Sequence, residues 1–145
     1  MDGSSKIAHE HIDRFEDLEA WKSTRALTGL VYASSGIGNF GRDFALRGQI
    51  RRAAISIVSN IAEGFERDGD KEFVQFLSVA KGSCGEVRAQ LCLALDQKYI
   101  SEAEFQELTT KAIQLSRLIS GLIRYLRQSR FSGKKYKPAA VGIQT

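Results

Sequence analysis

Two acids, Glu63 and Glu86, are the residues best placed to do chemistry, each set among small and polar neighbours. Glu63 lies in RRAAISIVSNIAEGFERDGDKEF, residues 51–73. Glu86 follows the small run Gly82-Ser83-Cys84-Gly85. A pair of carboxylates inside a helical bundle can hold two metal ions or move a proton to and from a substrate. Such centres need more ligands than a pair. Di-metal bundles draw on several Glu residues and on Glu-x-x-His motifs. The only histidines here, His9 and His11, stand in a polar leader and offer at most a weak H-x-H contact. With the ligand set missing, the sequence predicts no catalytic residue, no metal and no cofactor.

Other enzyme signatures are absent too. There is no P-loop and no G-x-S-x-G. The run GIGNFG, Gly36–Gly41, has the glycines of a dinucleotide fingerprint, but it follows a predicted helix rather than a strand.

Packing accounts better for the polar and small residues. Arg52, Asn60, Glu63 and Glu86 are expected to form hydrogen bonds and ion pairs that fix helix register or a subunit interface. Gly64 costs a helix about 1 kcal/mol against alanine, which close approach of another backbone would offset. Gly82, Gly85 and Ala89 share a face at helical spacing, and with Ser83 they let a neighbour approach closely. Ser120 and Gly121 suit the same part. Cys84 and Cys92, eight residues apart, read as two small buried hydrophobes rather than a disulfide or metal pair.

The elements that must carry these residues follow from apolar periodicity. The first predicted helix runs over 17–35, with Trp21, Thr24, Leu27, Leu30 and Val31 at helical spacing. SSGIGNFGR breaks it. The second covers 44–67, with Ile50, Ala54, Ile57, Val58, Ile61 and Phe65 in one stripe. Ile55 and Ala62 lie off that stripe, so a second contact surface is expected on this helix. Gly69 suits a left-handed cap and Asp70 an N-cap. The third helix, over 71–97, steps through Phe73, Leu77, Ala80, Cys84, Val87, Leu91 and Ala94 in a heptad rhythm. Lys98-Tyr99-Ile100 is the next turn. Ser101 and Glu104 spell a capping box for a fourth helix ending near Gln128. Four helices of about 20–28 residues, each roughly 30–40 Å long, with short connections make an all-α, antiparallel up-down-up-down four-helix bundle. Residues 1–14 read as a flexible leader, 15–128 as the bundle, and 129–145 as a basic tail without periodicity.

A chain of 145 residues, 43% hydrophobic and 26% charged, with one proline, fits one globular helical domain. No apolar stretch is long enough for a membrane span, and the N-terminus lacks the apolar core of a secretory signal. A cytoplasmic protein is expected. The net charge of +4 hides an asymmetry. After Glu107 there is no acid, and Lys111, Arg117, Arg124, Arg127, Arg130, Lys134, Lys135 and Lys137 give the last 38 residues +8. The rest of the chain is therefore −4. A concentrated positive end suits an anionic partner, nucleic acid above all. Solubility and favourable charge at a helix C-terminus are the competing account.

The segment QIRRAAISIVSNIAEGFERDGDKEFVQFLSVAKGSCGEV, Gln49–Val87, resembles the four-helix bundle family encoded in intervening sequences of 23S ribosomal RNA genes, also called S23-type. The matching pattern is R-A-x-S-I-x-x-N-I-A-E-G, a basic residue, a short turn, F-x-x-F-L, then A-x-G-S-x-x-E. It falls here on Arg52, Ala53, Ser56, Ile57, Asn60–Gly64, Arg67, Phe73, Phe76, Leu77, Ala80, Gly82, Ser83 and Glu86. FEDLEAWK, Phe15–Lys22, also fits the family's start. Members commonly carry proline in the loop after the first helix, where this chain has GNFGRDF. The resemblance implies an antiparallel bundle, a ring-like homopentamer and no known enzymatic activity. The family is similar to the accessory protein of diversity-generating retroelements, a basic pentameric barrel that binds nucleic acid and a reverse transcriptase. The residues Arg52, Asn60, Glu63, Gly64, Gly82, Ser83 and Glu86 would then be structural or interfacial.

Two functions compete at this level. One is an oligomeric protein that binds RNA or DNA, with Arg47, Arg51, Arg124, Arg127, Arg130, Lys134, Lys135 and Lys137 on phosphates. The other is a scaffold that recruits a protein partner, with the basic end serving solubility. No stacking platform of aromatic and basic residues is legible beyond Phe131 and Tyr136.

Overall fold

The computed structural model describes residue 12 and residues 14–129. A single 3-10 turn, Phe15–Asp17, leads into α1, Glu19–Ser35. A short α2, Gly38–Arg42, forms the first corner. The long α3, Phe44–Phe65, and α4, Asp70–Asp96, are followed by α5, Glu102–Ser129. The fold is all-α, with no strand among the described residues. No helix among them is long and apolar enough to cross a membrane.

Each long helix packs on two neighbours, in the order α1, α3, α4, α5 and back to α1. The helices run alternately up and down, so α1 and α4 face each other across the core, as do α3 and α5. The predicted stripes form that core. Leu27 and Val31 of α1 and Ile50, Ala54, Ile57 and Ile61 of α3 are buried in one cluster. The heptad series of α4 and Leu108, Ala112, Leu115, Ile119, Leu122 and Leu126 of α5 close it. Each fully buried Leu or Ile contributes about 1.5–3 kcal/mol, and these long stripes dominate the fold's stability.

The corners hold the departures from expectation. The break after α1 is not an irregular loop. Gly38, at φ 57°, starts α2, and Gly41 sits where a Cβ would lie 2.9 Å from the Gly36 carbonyl oxygen. Phe40 is buried and stacks on Tyr99 with ring centroids 5.4 Å apart. Asp43 caps α3, its Oδ1 accepting from the Leu46 N–H at 3.0 Å. The Tyr99 hydroxyl donates to Asp43 Oδ2 at 2.9 Å.

At the α3–α4 turn Gly69 is extended (φ −139°) rather than left-handed. It is the N-cap itself, and Asp70 is the first helical residue and buried. The left-handed position falls at Lys98, φ 61°. There the Tyr99 N–H bonds Ala94 O at 2.9 Å and the Lys98 N–H bonds Leu95 O at 2.9 Å. Those two bonds close a Schellman motif with lysine where glycine is usual. Ser101 Oγ accepts from the Glu104 N–H at 3.1 Å, as a capping box requires. The Glu104 carboxylate, however, accepts a hydrogen bond from the Ser34 hydroxyl and so ties α5 to α1.

Candidate functional site

The segment that raised the question of chemistry builds the α3–α4 seam. Ser83 of α4 donates its hydroxyl to Ser56 Oγ of α3 at 2.9 Å. Asn60 Nδ2 donates to the same oxygen at 3.1 Å and to the Ser56 carbonyl at 2.8 Å. This chain of hydroxyls and one amide fixes the register of the two helices at half-buried positions. One turn further on, a Cβ on Gly64 would lie 2.7 Å from Phe76 Cβ and 2.9 Å from Phe73 Cδ1. The glycine is there because two phenylalanines of α4 occupy the space a side chain would need.

The carboxylates do not come together. With Ser56 opposite Ser83, Glu63 lies level with Phe76, and Glu86 is ten residues further along α4, about 15 Å at 1.5 Å per residue. Glu63 pairs with Arg67 on its own helix at 2.9 Å, both side chains half-exposed. Arg52 and Glu86 are exposed and form no ion pair among the described residues. Among the described residues no group of three or more His, Cys, Asp or Glu could hold a metal ion.

The glycines of α4 also differ from expectation. Gly82 and Gly85 are exposed, with nothing within 4 Å of an added Cβ, so no helix of the same chain packs on them. Cys84 is buried, and burial pushes its thiol up to about 11 against the opposing charges of Arg88 and Lys81. Cys92 is exposed rather than buried.

The arginines proposed for phosphate contact divide into two groups. Arg47 and Arg51 are committed to the α1–α3 corner. Arg51 Nε donates to Ser35 Oγ at 2.9 Å and its Nη2 to the Tyr32 carbonyl at 3.2 Å, with the guanidinium 4.3 Å above the Tyr32 ring. Arg47 Nη1 donates to the Gly41 carbonyl at 2.7 Å and lies 4.6 Å over the Phe44 ring. Both already spend donors on backbone or hydroxyl acceptors, which leaves fewer of them for a phosphate than Arg124 and Arg127 offer.

Arg124 and Arg127 of α5 are exposed and flank a groove of about 470 Å³ between α4 and α5. Ser78, Lys81, Gly82, Ser120 and Ile123 complete its lining, and none of the lining residues is acidic. Because α3 and α5 lie on a diagonal, this groove and the Arg47–Arg51 corner are on different faces. Lys81 was not singled out from sequence. It lies in the part of the chain with net negative charge, and only helical phase together with the α4–α5 pairing brings it to the two arginines. Arg130, Lys134, Lys135 and Lys137 lie outside the described residues.

Comparison with known proteins places this geometry. The profile of the 23S rRNA-intervening sequence protein family matches residues 16–121. A crystal structure of a protein with unknown function from the S23 ribosomal protein family of Bacteroides thetaiotaomicron VPI-5482 is similar in fold, with a TM-score of 0.66. It is 20% identical and covers 72% of this chain and 97% of its own. At that identity the likeness speaks for the fold alone. A search of curated proteins finds no match.

Proposed function

Because the chain belongs to the 23S rRNA-intervening sequence protein family, we propose that it is a non-enzymatic, oligomeric bundle that binds RNA or other nucleic acid through its basic C-terminal end. The observation that carries this reading is the separation of charge. No acid follows Glu107, and eight cations do. Two of them, Arg124 and Arg127, stand exposed beside Lys81 with no acid among the groove's lining. Such a surface attracts a polyanion at any orientation and releases counterions when phosphates replace them.

Assembly into a ring of five would repeat this surface and raise its avidity. The outer face of α4 supports a subunit contact. Gly85 leaves it flat, and Val79 and Leu93 are 54% and 52% exposed on the same helix. The likeness to the retroelement accessory protein belongs to the same proposal. The same flat face supports the second reading, a scaffold that recruits a protein.

A pull-down from lysate, with and without nuclease, separates the two. Captured RNA that is released by salt is the expected result. One stoichiometric protein retained after nuclease treatment, with no nucleic acid captured in either arm, favours the scaffold.

A further inference from the structure

We propose that the α4–α5 groove is a seat for backbone phosphates of nucleic acid, with Lys81, Arg124 and Arg127 as the charged ligands and Ser120 as a hydroxyl donor. The proposal rests on the nucleic-acid reading above and assigns it to a defined place. Three observations carry it. The first is convergence. Cations from two different helices meet at one groove, although Lys81 is 43 positions from Arg124 in sequence. The second is the lining. It contains three cations, the Ser120 hydroxyl and no carboxylate, while Ser78 already donates its hydroxyl to the Val74 carbonyl at 2.9 Å, so an entering anion meets cationic donors and no competing acceptor charge.

The third is shape. Gly82 has open space where a side chain would be, and Ser78 and Ser120 are short, so the floor stays low between the long basic side chains. Ile123 is buried at the base. At about 470 Å³ the groove falls within the range of roughly 300–1,000 Å³ typical of ligand sites. Its walls are flexible point charges and forks rather than aromatic rings. The groove therefore holds phosphates and leaves the bases unread, and sequence-tolerant binding follows.

The test measures the affinity of the full chain for a single-stranded RNA oligomer against salt, with Lys81→Gln, Arg124→Gln and Arg127→Gln. Lys22→Gln, an exposed cation on α1, serves as the matched control. Inorganic phosphate is titrated separately, with NMR of the backbone amides. Each groove variant is expected to weaken RNA binding several-fold and to flatten the slope of log K against log salt by about 0.7, the value for one single-strand phosphate. The control should leave the slope unchanged. Full RNA affinity and slope in all three groove variants would overturn the groove and leave the proposed function standing. Absence of RNA binding at about 50 mM salt would overturn both. Inorganic phosphate shifting the Gly82 amide while the RNA slope is the same in every variant would make this a free-anion site and also overturn the assignment.

Discussion

The Ser83 hydroxyl of α4 donates to the Ser56 hydroxyl of α3 at 2.9 Å, and Asn60 reinforces the acceptor from the α3 side. These residues sit on the seam where an ordinary bundle would place alanine or leucine. They lock one register of the α3–α4 hairpin. Ser83→Ala should therefore cost about 1 kcal/mol, the usual net value of such a bond. Urea denaturation of the variant checks it. A midpoint at or above that of the parent would contradict the register role.

The glycines of the two helices should respond with opposite signs. Gly64→Ala gains about 1 kcal/mol of helix propensity but drives a methyl into Phe76 and Phe73, and overpacking costs about 1–3 kcal/mol. A net loss in thermal stability is expected. Gly85→Ala meets open space and is exposed, so the isolated chain should gain up to about 1 kcal/mol. Size-exclusion of the same Gly85 variant reads the subunit contact. A smaller assembly with a more stable protomer would place Gly85 in that contact.

Lys98 holds a left-handed backbone that glycine adopts without strain. Lys98→Gly keeps both bonds of the Schellman motif and removes the clash of Cβ with the backbone. Stability should rise by about 1 kcal/mol, less the entropy of a freer unfolded chain. A drop in melting temperature would show that the Lys98 side chain contributes more than the strain costs.

Asp43 links pH to the first corner. The Leu46 N–H and then the Tyr99 hydroxyl hold its carboxyl below the usual 3.8. A carboxyl depressed in the fold stabilises it fully above that usual value, and the contribution fades as pH falls through the lowered one. Tyr99 is raised above 10.0, first by its bond to Asp43. Its contribution is complete below that pH and fades as pH rises through the raised value. Asp43→Asn keeps a competent N-cap but no charge. Its melting temperature should fall less than the parent's on acidification below the carboxylate range. Equal falls would contradict the link.

Much of the fold was legible because the apolar stripes are long and regular. Phe105 through Leu126 read as one helix face, and the capping serine before them marks its start. Asn60 and Ser83 were legible as packing residues because they interrupt those stripes at fixed steps, whereas the part of Ser56 between them was not. The corners were not. Gly38 and Gly41 signal a break, but the burial of Phe40 against Tyr99 depends on a residue almost 60 positions away. The surroundings of the basic residues were hidden for a related reason. Charge is visible in sequence, but partners are not. Arg51 is occupied by Ser35 and Tyr32, whereas Lys81 becomes a neighbour of Arg124 only when α4 and α5 pair. Tyr32 under Arg51 is an aromatic–basic pair 19 positions apart that no linear spacing announces, whereas Phe44 and Arg47 stand at i,i+3 on α3.

The central claim is that the basic end of α5 meets nucleic-acid phosphates. The most direct measurement is fluorescence anisotropy of a labelled RNA with the full chain and with a version ending at Gln128, from about 50 to 200 mM salt. Tight binding with a steep salt slope, reduced but not abolished by the truncation, is the predicted result, since Arg124, Arg127 and Lys81 remain. Binding that does not change with salt, or no binding at low salt, would contradict the claim and leave the protein scaffold as the account of this family member.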